Sequence, residues 1–381
     1  MGILSELRNE MRLLEEGAEH DGYWYSIGDV LTILVCGMLC GLQRIDDIHD
    51  WAKAAPPRLF LEAEFGITRT PCRAQFYNIL RCVDAKKFNL GFARWMSGVL
   101  SGSCKGKTIA IDGKTVCSTD KLSLDGSALH IASALVSELN LVIGSIECAS
   151  KTGEQSAFRE LVGLLDVSGS VVVADALHCS RKSAKTVIDA GADYLFVVKD
   201  NVPRLKEDIK LYFKGGDMPS HRTVEKNGGR IETRTAYTSN EVGWLRGKEG
   251  WPGISTIAAI HREFEKGGAK SSEWHYYISS AVLNAEALLA HARLEWGVES
   301  MHWLLDVHFA EDKTRVWDMN VQKVLNTTRK IALNMVRLYK SANHPDRVPL
   351  TSVFKENLFD TSRFAKFLDF FRPTAKLDWV R

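Results

Sequence analysis

The chain has 381 residues, 45% of them hydrophobic and 25% charged, which excludes intrinsic disorder and predicts more than one hydrophobic core. A formal net charge of +2 does not by itself indicate a nucleic-acid partner. The eight cysteines contain no CxxC pair, so neither zinc knuckles nor a disulfide framework is expected, and we predict reduced thiols.

Residues 1–104 are predicted to form a helical N-terminal domain. The first residues are rich in charge and lack a secretory signal. The apolar run 27–42 contains Asp29 and is too short to cross a bilayer, so it predicts a buried helix capped by Ser26. The short basic helix at 69–81 fits a DNA-binding bundle and equally a plain interaction domain. We expect a cytoplasmic protein with no membrane contact.

Residues 105–200 change to an α/β pattern. An apolar run ends in an Asp-Gly turn, and two β-rich runs with a hinge between them predict an antiparallel meander. Strands and helices alternate after that point. The predicted elements are KTIAIDGK at 107–114, His130–Ser137, Leu141–Cys148, a helix at Gln155–Leu165, SVVVAD at 170–175, a helix at His178–Ala190 and YLFVVK at 194–199.

The remaining chain is predicted in three parts. Glycine-containing turns between β-like runs indicate a β-rich insertion at 201–283, and a helical pattern follows at 284–340. Residues 341–381 are predicted to be a basic C-terminal tail. From 313 onward there are fourteen Lys and Arg against six Asp and Glu, so this segment is a candidate phosphate-binding surface or, alternatively, a solvated basic face.

Three acids are candidates for chemistry. Asp112 follows an apolar run, where it is either a carboxylate at a strand tip or half of a common turn pair. Asp175 follows another apolar strand and precedes a helix, where it is either a ligand at the carboxyl edge of a sheet or a helix N-cap. If these strands lie side by side, two repelling carboxylates meet, which favours a cation between them.

Glu299 is predicted to lie on a helix that shares one face with His302, Trp303 and Asp306. Because Trp296 and Trp303 accompany the acids, we expect this region to pack against the sheet and to present Glu299 to it. The alternative is a solvated charged face.

Two Asp and one Glu are hard oxygen ligands suited to Mg²⁺, with Mn²⁺ as a substitute. A two-metal site of this kind activates water or a 3′-hydroxyl toward a phosphodiester and needs no covalent enzyme nucleophile. Basic residues near the acids are then candidates for contacts with DNA phosphates. The candidate DNA-binding residues are Lys114, Lys151, Lys199, Arg230, Arg315, Arg329 and Lys330.

Several sequence blocks resemble those of the insertion-sequence transposases of the ISAs type, also called H-repeat-associated proteins, within the DDE superfamily. The blocks are the FGITRTPCRAQF region, AIDGK at 110–114, DALHC at 175–179, ADYLFVVKDN at 192–201, GGRIETR at 228–234, YYISS at 276–280, HWLLDVHFAED at 302–312 and RKIALNMVR at 329–337.

The resemblance implies a ribonuclease H-like catalytic core with a β-rich insertion, and it assigns the catalytic and metal-binding roles to Asp112, Asp175 and Glu299. The implied activity is metal-dependent cleavage at insertion-sequence ends followed by strand transfer, with a homodimer on duplex DNA of the terminal repeats and the target. The expected location is the bacterial cytoplasm, at the nucleoid.

Around the third acid the chain departs from the family pattern. It reads EWGVES where the family commonly reads HWGIEN, so Glu295 replaces a His and Ser300 replaces an Asn. KTGEQ at 151–155 and KDNV at 199–202 also differ from the usual KSNEI and KGNQ. Two alternative functions follow: a transposon-derived DNA-binding protein whose catalysis has lapsed, or a metal-dependent nuclease without strand transfer.

Overall fold

A mixed sheet of nine strands forms the centre of the protein in a computed structural model, which describes residues 2–15, 25–100, 104–117, 128–148, 153–215, 218 and 220–372. The strands are β1 (Thr108–Val116), β2 (Leu129–Val136), β3 (Leu141–Cys148), β4 (Val171–Ala174), β5 (Asp193–Val198), β6 (Ser220–Asn227), β7 (Arg230–Ser239), β8 (Thr256–Lys266) and β9 (Ala269–Ser279). Their order across the sheet is β3-β2-β1-β4-β5-β9-β8-β7-β6.

The first five strands confirm the predicted order of three strands, helix, strand, helix and strand. β1, β2 and β3 form an antiparallel meander, whereas β1, β4 and β5 are parallel neighbours. Helices cross between the parallel strands, as parallel pairing requires. Their bounds are α7 (Glu154–Leu164) between β3 and β4, and α8 (Arg181–Asp189) between β4 and β5.

The β-rich segment predicted after residue 200 continues the same sheet. After α9 (Pro203–Phe213), strands β6 to β9 pair in antiparallel order, and β9 joins β5 with Leu195 opposite Ser279. The inserted strands therefore extend the surface next to the edge where β4 and β5 end.

The N-terminal helices share a hydrophobic core with the sheet and with a long C-terminal helix. The helices are α1 (Ile3–Arg12), α2 (Ile27–Leu39), α3 (Ile45–Lys53), α4 (Ala55–Phe65), α5 (Arg73–Cys82), α6 (Ala85–Val99) and the later α12 (Met319–Asn343). α2 is almost wholly buried, and Ser26 caps it by accepting from the amide of Asp29, as predicted. Within the described residues, no helix is both long and apolar enough to span a membrane.

The C-terminal segment is folded onto the N-terminal helices as far as it is described. It contains α13 (Leu350–Phe359) and α14 (Thr361–Asp369). The Leu4 amide donates to the Phe371 carbonyl at 3.0 Å, and the Asn357 side chain donates to the Leu39 carbonyl at 2.9 Å. The predicted basic tail at 341–381 is thus helical and packed up to residue 372, because apolar residues of α13 and α14 enter the core.

Candidate active site

Asp112 lies within β1 and not at a turn. β1 continues to Val116, with Asp112 opposite Ser133 of β2, so the predicted Asp-Gly turn is wrong. Gly113 has a different role here. A Cβ at this position would lie 2.5 Å from the carboxyl carbon of Glu154, so glycine is needed because that side chain occupies the space.

Asp175 lies directly after β4, at the carboxyl edge of the sheet, and it is also the N-cap of a short helix. Its Oδ1 accepts from the Leu177 amide at 2.9 Å, which caps the 3-10 helix Ala176–His178, and the residue remains exposed at the sheet edge. β1 and β4 are parallel, with Ala110 opposite Val173. Asp112 and Asp175 each lie two residues beyond that pair, so both acids are at the level where β4 ends, although β1 continues past it.

Glu299 approaches this edge from the helical region. It lies in the first turn of α11 (Gly297–Phe309), which follows α10 (Ala285–Leu294). Glu299, Glu295 and Asp175 line a cleft of about 390 Å³ between the helices and the sheet. Asp112 is not among the lining residues, although its charge acts on Glu295. The structure therefore places Asp175, Glu299 and Glu295 in one cleft, with Asp112 on the strand that neighbours Asp175.

The carboxylates at this edge influence one another. Burial raises the pKa of Asp112 to about 6, and the charges of Glu154 and Asp175 add to that shift. Burial also raises the pKa of Glu295 to about 7, with further contributions from Asp175, Asp112 and Glu299. Like charges crowded in a partly desolvated cleft favour protonation unless a cation neutralises them.

The three predicted acids do not lie as close together as the ligands of a single metal ion. Among the described residues, the group of three acids whose oxygens all lie within 4.8 Å is Asp306, Glu311 and Asp312, and Asp112, Asp175 and Glu299 are not that close. Two metal ions about 4 Å apart would be held by carboxylates spread over a wider site than the ligands of a single ion.

His302 is the nearest basic side chain to Asp112. Its Nδ1 lies 3.7 Å from Asp112 Oδ2. Burial lowers the pKa of His302 to about 4, so the imidazole is neutral at pH 7 and does not neutralise the carboxylate.

The tryptophans on the Glu299 helix do not pack as the sequence suggested. Trp296 is 50% exposed and Trp303 is 61% exposed. The buried face of α11 consists instead of Val298, Met301, Leu305 and Phe309. The two tryptophans therefore do not take part in this packing, whereas His302 and Asp306 of the same helix do lie beside Asp112 and Lys114 of β1.

Sequence analysis missed a buried network around Glu154. This carboxylate lies 2.8 Å from His130 Nε2 and 3.2 Å from His178 Nε2, and His130 Nδ1 lies 2.8 Å from the Thr115 hydroxyl. The network joins β1, next to Asp112, to the 3-10 turn that begins at Asp175. The signal in the sequence was KTGEQ, which keeps the Glu of the family block KSNEI although its neighbours differ.

The candidate DNA-binding residues separate into exposed and buried groups. Lys199, Arg230 and Arg315 are exposed, and Lys199 lines the cleft beside Asp175. Arg329 and Lys330 are 3% and 1% exposed, so their charges face the protein interior and not a bound duplex. Lys114 is 14% exposed and ion-paired, and Lys151 lies outside the described residues.

Three arginines that the sequence did not single out also line the cleft. Arg234 and Arg262 project from β7 and β8, and Arg293 lies on α10. Their present partners are glutamates, with Arg262 held by Glu232 at 2.8 Å and its guanidinium 4.7 Å from the Trp296 ring centre. They were not among the candidate DNA-binding residues, although Arg234 ends the GGRIETR block, because only the folding of β7, β8 and α10 brings them to the acids.

Comparisons with known proteins identify the family of the chain. The family described as "Transposase DDE domain" matches residues 103–335, and a second family, described as "DDE_Tnp_1-associated", matches residues 14–96. The H repeat-associated protein YhhI of Escherichia coli (strain K12) is 31% identical over 82% of this chain and 85% of its own length. The protein YncI of Escherichia coli O157:H7 is 28% identical over 82% of each chain.

A solved cryo-EM structure, the piggyBac transposase synaptic complex with hairpin DNA, aligns at a TM-score of 0.46 and 13% identity over 100% of this chain and 81% of that chain. The family match covers more than half of the chain, including the strands of Asp112 and Asp175 and the helix of Glu299. This chain belongs to the DDE transposase family.

Proposed function

We propose that the protein is a divalent-metal-dependent DNA transposase that cleaves DNA at the ends of an insertion sequence and joins the freed 3′-hydroxyl to target DNA. The observation that carries the proposal is the placement of Asp112 and Asp175 at one edge of two parallel strands, with Glu299 lining the cleft beside Asp175. We assign the first five strands and their helices to a ribonuclease H-like core.

The donor set fits hard divalent cations. Asp112, Asp175 and Glu299 offer carboxylate oxygens, which Mg²⁺ and Mn²⁺ prefer over nitrogen or sulfur. Burial, together with the charges of Glu154 and Asp175, raises the pKa of Asp112, and a bound cation would offset this effect. When bound, such ions promote attack by water or a 3′-hydroxyl and stabilise the leaving oxygen.

The chain's own residues would orient the DNA around these acids. Lys199, Arg234, Arg262 and Arg293 line the same cleft, where they would attract the phosphate backbone and offset its charge during in-line displacement. The partner is therefore duplex DNA, from the element ends and from the target. Because two ends must be held together, we propose a homodimer on DNA, working at the bacterial nucleoid.

The test is Mn²⁺- and Mg²⁺-dependent cleavage of a duplex that carries the terminal repeats, with wild type compared against Asp112→Asn, Asp175→Asn and Glu299→Gln. Loss of a metal ligand removes several kcal/mol of transition-state stabilisation, so we expect cleavage to fall about a thousandfold or more. DNA affinity should stay within a few fold. Asp189→Asn on α8, whose carboxylate pairs with exposed Lys185, is the matched control.

The other outcomes separate the remaining functions. Wild-type protein that binds the repeats without nicking them would support a lapsed, DNA-binding descendant, for which replacement of the usual His by Glu295 is the motivating observation. Cleavage without joined products would support a nuclease. Unchanged cleavage in Asp112→Asn would contradict the proposed metal site.

A further inference from the structure

A second group of acids lies at the other end of α11. Asp306 of α11 and Glu311 and Asp312 of the 3-10 helix Glu311–Lys313 present oxygens that all lie within 4.8 Å of one another. Glu311 is 1% exposed, so its charge has almost no solvent to stabilise it. Such a group requires positive charge among its oxygens.

The side chain of Lys114 supplies that charge. Its Nζ lies 2.8 Å from Asp306, 3.0 Å from Glu311 and 3.4 Å from Asp312. An ammonium group has three hydrogens to donate, and three carboxylates surround it here. Burial alone would lower the pKa of Lys114, but the carboxylates outweigh it and raise the pKa, so the side chain remains charged.

The opposite side of Glu311 is also bonded. Its Oε1 accepts from the side-chain amide of Asn326 at 2.6 Å. The side-chain oxygen of Asn326 in turn accepts from Lys330 Nζ at 2.6 Å. Asn326 and Lys330 belong to α12, so the network spans β1, the end of α11 and α12. Arg329, also buried on α12, adds positive charge near the same acids.

These bonds connect the two elements that carry catalytic acids. Lys114 follows Asp112 by two residues on β1, so both side chains lie on the same face of the strand. Asp306 follows Glu299 by seven residues, about two helical turns along α11. Fixing Lys114 to Asp306 therefore fixes the helix of Glu299 against the strand of Asp112.

The geometry points to Lys114 as a positioning residue, whose ammonium occupies the place of a cation among Asp306, Glu311 and Asp312 and holds the Glu299 helix in register with Asp112. The inference rests on the proposed function for its catalytic consequence. It replaces the expectation that Lys114 contacts DNA phosphates, since its ammonium already lies within 3.4 Å of three carboxylates.

The first experiment compares Lys114→Met with wild type in cleavage and in DNA binding across a salt series. Misplacement of a catalytic group by about 1 Å lowers rates about a hundredfold, so we expect kcat for Mn²⁺-dependent cleavage to fall by that factor. The DNA Kd and its salt slope should not change. A slope reduced by about 0.9, with weaker binding, would identify Lys114 as a phosphate contact and overturn the inference.

Two further variants keep this comparison informative. Asp306→Asn removes one partner of Lys114 and should lower kcat in the same direction, also without altering the salt slope; this variant serves if Lys114→Met does not fold. Lys185→Met breaks an exposed ion pair with Asp189 on α8 and should behave as wild type in both measurements. Normal kcat in Asp306→Asn and Lys114→Met would contradict the positioning role.

The second experiment does not depend on DNA cleavage. In an Asp112→Asn, Asp175→Asn background, Lys114→Ala leaves three adjacent carboxylates without their ammonium, which creates a site for Ca²⁺. We expect millimolar Ca²⁺ to raise the Tm of the triple variant by about 2 °C or more and to leave the Tm of its Lys114-containing parent unchanged. Equal Ca²⁺ responses in the two proteins, including no response in either, would overturn the inference even if the protein cleaves DNA as proposed.

Discussion

The two ends of α11 carry the same kind of residue in opposite circumstances. At its C-terminal end, Asp306, Glu311 and Asp312 surround Lys114. At its N-terminal end, Glu299 and Glu295 face Asp175, and none of these three has an ion pair with Lys or Arg in the described part of the chain. The difference teaches that acids which already surround an internal cation have no need of a metal ion, whereas the acids at the N-terminal end are left without a neutralising partner.

The pKa shifts also differ between acids that lack a basic partner and acids that have one. Burial and neighbouring acids raise the pKa of Glu295 to about 7 at the open end. Glu154 is also buried but has two histidine partners, and its pKa is lowered instead. Burial would raise its pKa, yet the hydrogen bond from His130 and the ion pair with His178 hold it at about 2.

The largest stability effect is expected at Glu154. Glu154→Ala leaves His130 and His178 buried without their carboxylate, and breaking a buried pair in this way costs about 3–5 kcal/mol. Glu154→Gln preserves the shape and should cost less. Urea denaturation at pH 7 measures both variants. A loss of unfolding free energy below about 1 kcal/mol in Glu154→Ala would show that the pairing of Glu154 with the two histidines does not stabilise the fold.

The lowered pKa of Glu154 predicts how the stability of the protein changes in acid. The pKa of Glu154 is lower in the folded protein than its ordinary value of 4.5, so its contribution is present above pH 4.5 and is lost as the pH falls toward about 2. Wild type should therefore lose more stability than Glu154→Gln across this window. Parallel curves for the two proteins would contradict the pairing.

A smaller effect of opposite sign is expected at Glu295. Its folded pKa of about 7 exceeds the ordinary 4.5, so the folded protein holds the proton more tightly and loses stability as the pH rises from 4.5 to 7. Glu295→Gln should flatten the Tm of metal-free protein over this range. Added Mg²⁺ should raise the wild-type Tm most at the upper end. A wild-type Tm that does not fall over this range would contradict the raised pKa of Glu295.

The sequence was most informative where a candidate site residue directly follows a short apolar strand pattern. Asp175 could be placed because VVVA is a short apolar run bounded by a helix signal, and the structure has that strand and that edge. Asp112 was placed on the correct strand but at a turn, because Asp-Gly is a common turn pair and the cross-strand pairing of Lys114 with Ile131 is not visible in sequence.

The long-range contacts could not be predicted. Lys114 and Glu311 are 197 residues apart, and their pairing arises only when β1 and the end of α11 meet. The buried charges of Arg329 and Lys330 were counted from sequence as available to DNA for the same reason. Likewise, the tryptophans of α11 suggested a packed face, although Met301 and Leu305 fill that interface.

The central claim is that the acids without an internal cation are the ones that bind metal. Anomalous diffraction from crystals soaked in Mn²⁺ tests it directly, because Mn²⁺ can be located without any assay of activity. We predict anomalous peaks beside Asp112, Asp175 and Glu299, and none among Asp306, Glu311 and Asp312 while Lys114 is present. A peak within the Lys114 group, or none beside Asp112 and Asp175, would contradict the account.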